Sequence, residues 1–261
     1  MCGLAELLHN MGAKVSGSDL AENANTDRLK ELGVQVFRGH KSENVGDADV
    51  VVFSSAVQES NPEIQEARAK RIPLIPRAEA LAEIMRLKRG VAVAGTHGKT
   101  TTTSMAASIF LQAEVKPTIV VGGKFHLINS TALLGDGEWL IAEADESDGS
   151  FNKLSPEISI ITNVDSDHLD YYKSFENLQK AFQAFAQKIP FYGYCIVCGD
   201  DPLVRNLFKE FSKPIAFYGF DDKNDFVIKG ANGKYKLYEN TPSIRKELGE
   251  FDLKVPGAHN A

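Results

Sequence analysis

Residues 91–103 read VAVAGTHGKTTTT: an apolar run, two glycines three positions apart, then Lys99 and four threonines. This is the order of a strand, a tight loop and a helix start, and it decides the fold class. A strand feeding a helix N-terminus aims successive backbone N–H groups at one point, which suits an anion. Gly95 and Gly98 permit the tight loop and the close approach of backbone to a phosphate. Lys99 is placed to reach the β and γ oxygens of a nucleotide, and the Thr100 hydroxyl suits Mg2+. The loop is shorter than G-x-x-x-x-G-K-[ST], because valine stands at position 93 where that pattern has its first glycine. A glycine-containing turn with a solvated lysine is the plain alternative; the strand before and the helix after favour a nucleotide. Threonines are poor helix formers, and four at a helix start cost less if some hydroxyls cap or ligate.

Working outward, two later apolar strands also end in polar clusters. WLIAEADESDGSF (139–151) brings Glu143, Asp145, Glu146 and Asp148 to a strand end, and ISIITNVDSDHLD (158–170) brings Asn163, Asp165, Asp167, His168 and Asp170. Ligands of open α/β sheets gather at the carboxyl ends of strands. Crowded carboxylates repel unless a cation or hydrogen-bond donors offset them. A solvated acidic turn and a structural histidine are the alternatives for each cluster alone. Both clusters following one phosphate loop outline a nucleotide–Mg2+ centre.

Short β-like runs alternate with helical stretches along the whole chain, among them VQVF (34–37), DADVVVFSSAV (47–57), TIVVGG (118–123), CIVCGD (195–200) and IAFYGF (215–220). Near-continuous apolar strands alternating with helices predict an α/β fold with mainly parallel, doubly covered sheets. Asn61 and Pro62 mark a helix start, as cap and first-turn residue. A boundary near Lys88–Arg89 predicts two α/β domains, 1–88 and 89–261. DFVIKG (225–230) and KYKLYEN (234–240) alternate polar and apolar residues and predict a short antiparallel excursion.

The composition excludes several classes. The chain has 261 residues, 43% hydrophobic and 25% charged, with a net charge of −6 and scattered Lys and Arg. A nucleic-acid surface would need a basic stripe, so no nucleic-acid partner is expected. No apolar run has the length of a membrane span and no signal-peptide layout opens the chain, so no membrane insertion is expected. Three cysteines suit a reducing compartment, and the protein reads as cytoplasmic. Cys195 and Cys198 form C-x-x-C, but positions three apart on a strand face opposite sides, so core packing is favoured over a metal. Both ends read as cut. The first strand ends in Asp19, the acid that follows a Gly-rich turn in a dinucleotide-type unit, yet only Gly3 stands where such a turn belongs. At the other end, PGAHNA stops without a closing helix.

Taken together, AGTHGKTTTT (94–103), EADESDGSF (143–151), TNVDSDHLDYY (162–172) and PGAHN (256–260) resemble the Mur ligases of peptidoglycan synthesis. GSD (17–19), VVFSSAV (51–57), NPEI (61–64) and RIPLIPRAEALAEIMR (71–86) agree, in order, over essentially the whole chain. The resemblance implies a Rossmann-like UDP-sugar-binding domain over 1–88, without its first strand and Gly-rich turn. A P-loop-type, mainly parallel α/β ATPase domain over 89–261 follows, and a third, C-terminal domain is absent. The implied activity is an ATP-dependent amide ligase that joins L-alanine to the lactyl carboxylate of UDP-N-acetylmuramate through an acyl phosphate. By the same resemblance Gly95, Thr96, His97, Gly98, Lys99, Thr100 and Thr101 cradle the ATP phosphates. Thr100 and Glu143 hold Mg2+, His168 ligates a second Mg2+, and Lys99, Glu143 and His168 form the catalytic set. His259 and Asn260 contact the ATP nucleoside, while Asp19, His40, Ser54 and Ser55 meet the uridine and phosphates of the UDP sugar. Three rivals stand: a recycling ligase that adds a tripeptide to the same sugar, a nucleotide-binding module without chemistry, and a dinucleotide dehydrogenase. The last rests on Asp19 and leaves Lys99, Thr100, Glu143 and His168 idle.

Overall fold

The strand, loop and helix of 91–103 are all present in a computed structural model of the chain, which describes residues 1–240, 244–255, 257 and 260. The chain forms two compact units: Met1–Lys88 with Ala107–Leu140, and Arg89–Ala106 with Ile141–Ala261.

The first unit opens with α1 (Cys2–Asn10), β1 (Ser16–Asp19), α2 (Ala24–Glu31), β2 (Gln35–Arg38), β3 (Val51–Phe53), α3 (Pro62–Ala69), β4 (Leu74–Pro76) and α4 (Arg77–Met85). β1 pairs with β2 and β3 with β4, both in parallel. Asn61 caps α3 by accepting from Glu63 N–H, and Pro62 is its first residue. That placement follows from a ring that fixes φ and a missing N–H that no helix start needs. Leu4, Leu7, Leu29, Ile64, Leu81 and Met85 are buried here.

β5 (Arg89–Ala94) begins the second unit, and α5 (Lys99–Gln112) passes at Ala107 into residues of the first. There β6 (Thr118–Phe125) and β7 (Ser130–Leu133) pair antiparallel. A β-carbon on Gly3 of α1 would lie 2.4 Å from Thr131 Oγ1, so helix and hairpin touch where only glycine fits. Beside this contact the Glu6 carboxylate accepts from Arg28 Nε at 3.0 Å, Arg28 Nη2 at 2.6 Å and Ser130 Oγ at 2.8 Å. Lys88 Nζ donates to Gly135 O at 2.9 Å and Gly137 O at 2.6 Å. A charge network and a glycine contact thus tie residues 118–137 to the opening helices. Burial alone would push the Glu6 carboxyl up; the bonds from Arg28 and Ser130 outweigh it and hold it below the usual range.

The second unit resumes within β8 (Trp139–Glu143). It continues with β9 (Ile158–Ile161), α6 (Leu169–Tyr172), α7 (Phe175–Ala186), β10 (Tyr194–Cys198), α8 (Pro202–Leu207), β11 (Ile215–Gly219), β12 (Phe226–Ala231), β13 (Lys234–Asn240) and β14 (Arg245–Asp252). Its strands lie in the order β14-β13-β12-β11-β10-β9-β5-β8. Pairing is parallel from β5 through β9, β10 and β11 to β12, and antiparallel from β12 to β14. Residues 90–94 of β5 are all buried, as a doubly covered central strand requires. This order sets the carboxyl end of β5 between those of β9 and β8. β14 carries no apolar alternation and is exposed along nearly its whole length. Phe151 stacks on Phe185 at 5.0 Å and meets Phe182 edge-on at 5.3 Å, which anchors the segment after β8 on α7. The C-x-x-C pair lies on β10 with Cys195 buried and Cys198 half-buried, and all three cysteines are free.

Candidate active site

The loop leaving β5 is built against the chain that leaves β9. Gly95 has φ +140, and a β-carbon there would stand 2.0 Å from Thr162 Oγ1, so both conformation and space demand glycine. Thr96 Oγ1 accepts from Asp165 N–H at 2.9 Å, and His97 N–H donates to Asn163 Oδ1 at 2.9 Å. Thr162 Oγ1 and Asn163 Nδ2 donate to His97 O at 2.7 and 2.9 Å. Gly98 differs: its φ is +81, but no described atom lies within 4 Å of a β-carbon placed on it. One glycine therefore serves the scaffold, and the other leaves open space in front of the helix. The N–H groups of the first turn of α5 have no intrahelical acceptor and carry its positive dipole end.

Two of the four threonines are accommodated by giving their hydroxyls local work. Thr103 Oγ1 donates to Lys99 O at 2.8 Å, and Thr100 Oγ1 meets both Glu143 oxygens at 2.9 and 3.0 Å. Lys99 Nζ donates to Gly95 O at 2.7 Å, Thr96 O at 3.2 Å and Glu146 Oε1 at 2.8 Å. The Glu146 side chain is 1% exposed, and its Oε2 has no hydrogen-bond partner among the described residues. Burial pushes its carboxyl up against the opposing pull of Lys99. His168 Nε2 stands 3.6 Å from Glu146 Oε1, an ion-pair distance beyond a hydrogen bond. His168 holds a left-handed backbone conformation, φ 53 and ψ 30, at the start of α6. Such a conformation is uncommon without glycine, although histidine is enriched in it. Tyr172, four residues on, donates its hydroxyl to Glu146 O at 2.5 Å. Lys99, Thr100 and Glu143 are thus brought together directly, and His168 joins them across Glu146.

The Mur ligase family describes both parts of the chain: its catalytic domain matches residues 1–89 and its middle domain residues 93–261. The chain belongs to the Mur ligase family. It is 72% identical, over its whole length, to the UDP-N-acetylmuramate–L-alanine ligase of Bdellovibrio bacteriovorus, and 49% identical to that of Aquifex aeolicus. It spans 58% of each of those curated relatives. Among solved structures it is similar to the UDP-N-acetylmuramate–alanine ligase of Thermotoga maritima, with TM-score 0.83 and 30% identity over 100% of this chain and 59% of that one. The UDP-N-acetylmuramate:L-alanyl-gamma-D-glutamyl-meso-diaminopimelate ligase from Neisseria meningitides shares the fold, with TM-score 0.89 and 24% identity over 100% of this chain and 86% of that one.

In this Mur ligase chain the residues expected to meet the UDP sugar lie in the first unit. Asp19 ends β1, and its Oδ1 accepts from Ala21 N–H at 3.0 Å. His40 Nδ1 lies 3.1 Å from Glu63 Oε2 and 3.0 Å from Ser18 Oγ, and Ser18 Oγ donates to Glu63 at 2.7 Å. Ser54 Oγ accepts from Ala56 N–H at 3.2 Å, and Ser55 is exposed. Asn260 donates its N–H to Gly257 O at 3.1 Å, while His259 lies outside the described residues. Sequence reading passed over Glu63 and named Glu146 only as a member of an acidic cluster. Glu63 follows the Asn61 cap and looks like an ordinary first-turn acid; Glu146 is one of four acids in a run.

The Thr100–Glu143 pair tests whether Mg2+ fits. Among the described residues no group of three His, Cys, Asp or Glu side chains is arranged to hold a metal. Mg2+ does not require one, since it keeps several waters and takes one or two carboxylates plus phosphates. A hydroxyl and a carboxylate already within 3.0 Å beside a glycine loop at a helix start are the hard oxygen donors such an ion takes. No helix among the described residues is long and apolar enough to cross a membrane.

Proposed function

We propose that this chain carries the UDP-sugar and ATP-binding parts of a ligase that joins L-alanine to the lactyl carboxylate of UDP-N-acetylmuramate. This is a cytoplasmic step of peptidoglycan precursor synthesis. The observation that carries the reading is the meeting of Thr100 with Glu143, at 2.9 Å, beside Lys99 and the open face of Gly98. The 72% identity to the Bdellovibrio ligase supports the choice of substrates.

A carboxylate is a poor electrophile. Transfer of the γ-phosphoryl group of ATP to it gives an acyl phosphate, whose carbonyl the alanine amine attacks, expelling phosphate. Such chemistry asks the protein mainly for positioning and charge neutralisation. Residues 95–101 cradle the phosphates, with the first-turn N–H groups of α5 and Lys99 facing the β and γ oxygens. Thr100 and Glu143 would hold one Mg2+ and His168 a second, and such ions would supply charge neutralisation. His259 and Asn260 face the nucleoside. In the first unit Asp19, Ser54, Ser55 and His40, whose Nδ1 is engaged by Glu63 and Ser18, take the uridine and diphosphate.

The test is ADP release by the full-length protein with ATP and Mg2+. Release that requires both UDP-N-acetylmuramate and L-alanine is expected. Turnover with the tripeptide instead of L-alanine would assign the recycling reaction. Hydrolysis independent of the sugar nucleotide, or none at all, would overturn the ligase reading.

A further inference from the structure

Glu146 is the one buried carboxylate of the site to which ATP binding and Mg2+ give no task. An ammonium has three donors, and Lys99 has three acceptors, all directed into the protein: Gly95 O, Thr96 O and Glu146 Oε1. Lys99 therefore reaches a phosphate only by giving up part of this set. Glu146 cannot follow it, because the Tyr172 hydroxyl holds its carbonyl at 2.5 Å and Phe151, 1% exposed, fixes the chain beyond.

We propose that Glu146 is a positioning residue that parks Lys99 in the nucleotide-free protein, so that ATP binding exchanges one anion for another on the same ammonium group. This rests on the reading of 91–103 as an ATP site. Glu146 Oε2, buried and without a partner among the described residues, shows a carboxylate whose only strong bond is to that lysine. A group placed for fold stability alone would have both oxygens satisfied. His168 Nε2 stands 3.6 Å from the same oxygen, beyond hydrogen-bond distance, so Lys99 is the donor that Glu146 holds.

The experiment measures binding of a non-hydrolysable ATP analogue, with Mg2+, by calorimetry on the full-length protein. Glu146→Gln keeps the shape and removes the competing charge. It is expected to bind the analogue at least about threefold tighter, because apparent affinity scales with the fraction of molecules whose lysine is already released. The gain is expected to vanish in a Lys99→Met background. Unchanged or weaker binding in Glu146→Gln, or an equal gain without Lys99, would overturn the proposal. Should the glutamine variant not fold, Glu146→Asp, which retracts the charge by one methylene, is expected to give a smaller gain of the same sign, and no gain would again overturn it. Failure of the wild type to bind the analogue would instead overturn the ATP-site reading.

Discussion

Gly95 and Thr162 stand so close that a β-carbon on the glycine would lie 2.0 Å from the threonine hydroxyl oxygen. Gly98, three residues on, has open space instead. Alanine at the two positions therefore separates scaffold from site. Gly98→Ala meets only the left-handed backbone penalty, on the order of 1–2 kcal/mol. Gly95→Ala adds a steric overlap to a φ of +140, and a loss above about 3 kcal/mol is expected. Urea unfolding of both variants checks this; equal losses would contradict the role given to Thr162.

Thr100 and Glu143 are expected to fail together. Thr100→Val and Glu143→Gln each lower turnover by about 100-fold or more, the scale of losing one group that stabilises transition-state charge. Each also raises the Mg2+ concentration needed for half-maximal rate, and chelation of Mg2+ abolishes the rate. Thr100→Ser keeps the hydroxyl and most of the activity. A valine variant with normal Mg2+ dependence would remove Thr100 from the metal site.

Glu6 gives the first unit an acid-sensitive tie. Its carboxyl is held below the usual range despite its burial, so its contribution is complete above the unfolded value of about 4.3 and is lost as pH falls through the folded one. Glu6→Gln is expected to cost about 1–3 kcal/mol at neutral pH and to flatten the fall in stability below about pH 4.5. Thermal unfolding across pH 3–7, on the range of carboxylate titration, measures both; an unchanged acid slope would count against the network.

Cys195 is expected to be inert. Burial pushes its thiol up to about 11, against a weaker opposing bond from Ser159. In the native protein at pH 8 a disulfide reagent should leave Cys195 untouched, and denaturant should release it. Fast native labelling, or zinc bound through Cys195 and Cys198, would contradict the packing role.

The strand, loop and helix of 91–103, the two acid-bearing strand ends and the antiparallel excursion were all legible in the sequence, because each is a local pattern of apolar run, glycine and charge. Glu146 was not. Its neighbours Asp145 and Asp148 turn their oxygens onto nearby N–H groups of Ser147 and Ser150, while Glu146 alone is buried. That difference is set by Tyr172 and Phe151, and no spacing rule reports it. β14 was illegible for the opposite reason: an exposed edge strand such as RKELGEFD needs no apolar face. Glu63 looked like a first-turn acid until its carboxylate proved to meet Ser18, His40 and Asn44.

Ser130 lies 124 residues beyond Glu6, with residues 91–103 between them in the chain. A ribosome that has released the chain only as far as Lys88 has therefore made an unfinished body. Its opening helix still lacks the hairpin it packs on, and a buried carboxylate waits for its serine. Proteins often complete their N-terminal domain first during synthesis. Here residues 91–103 must emerge before the unit that holds Glu6 can close.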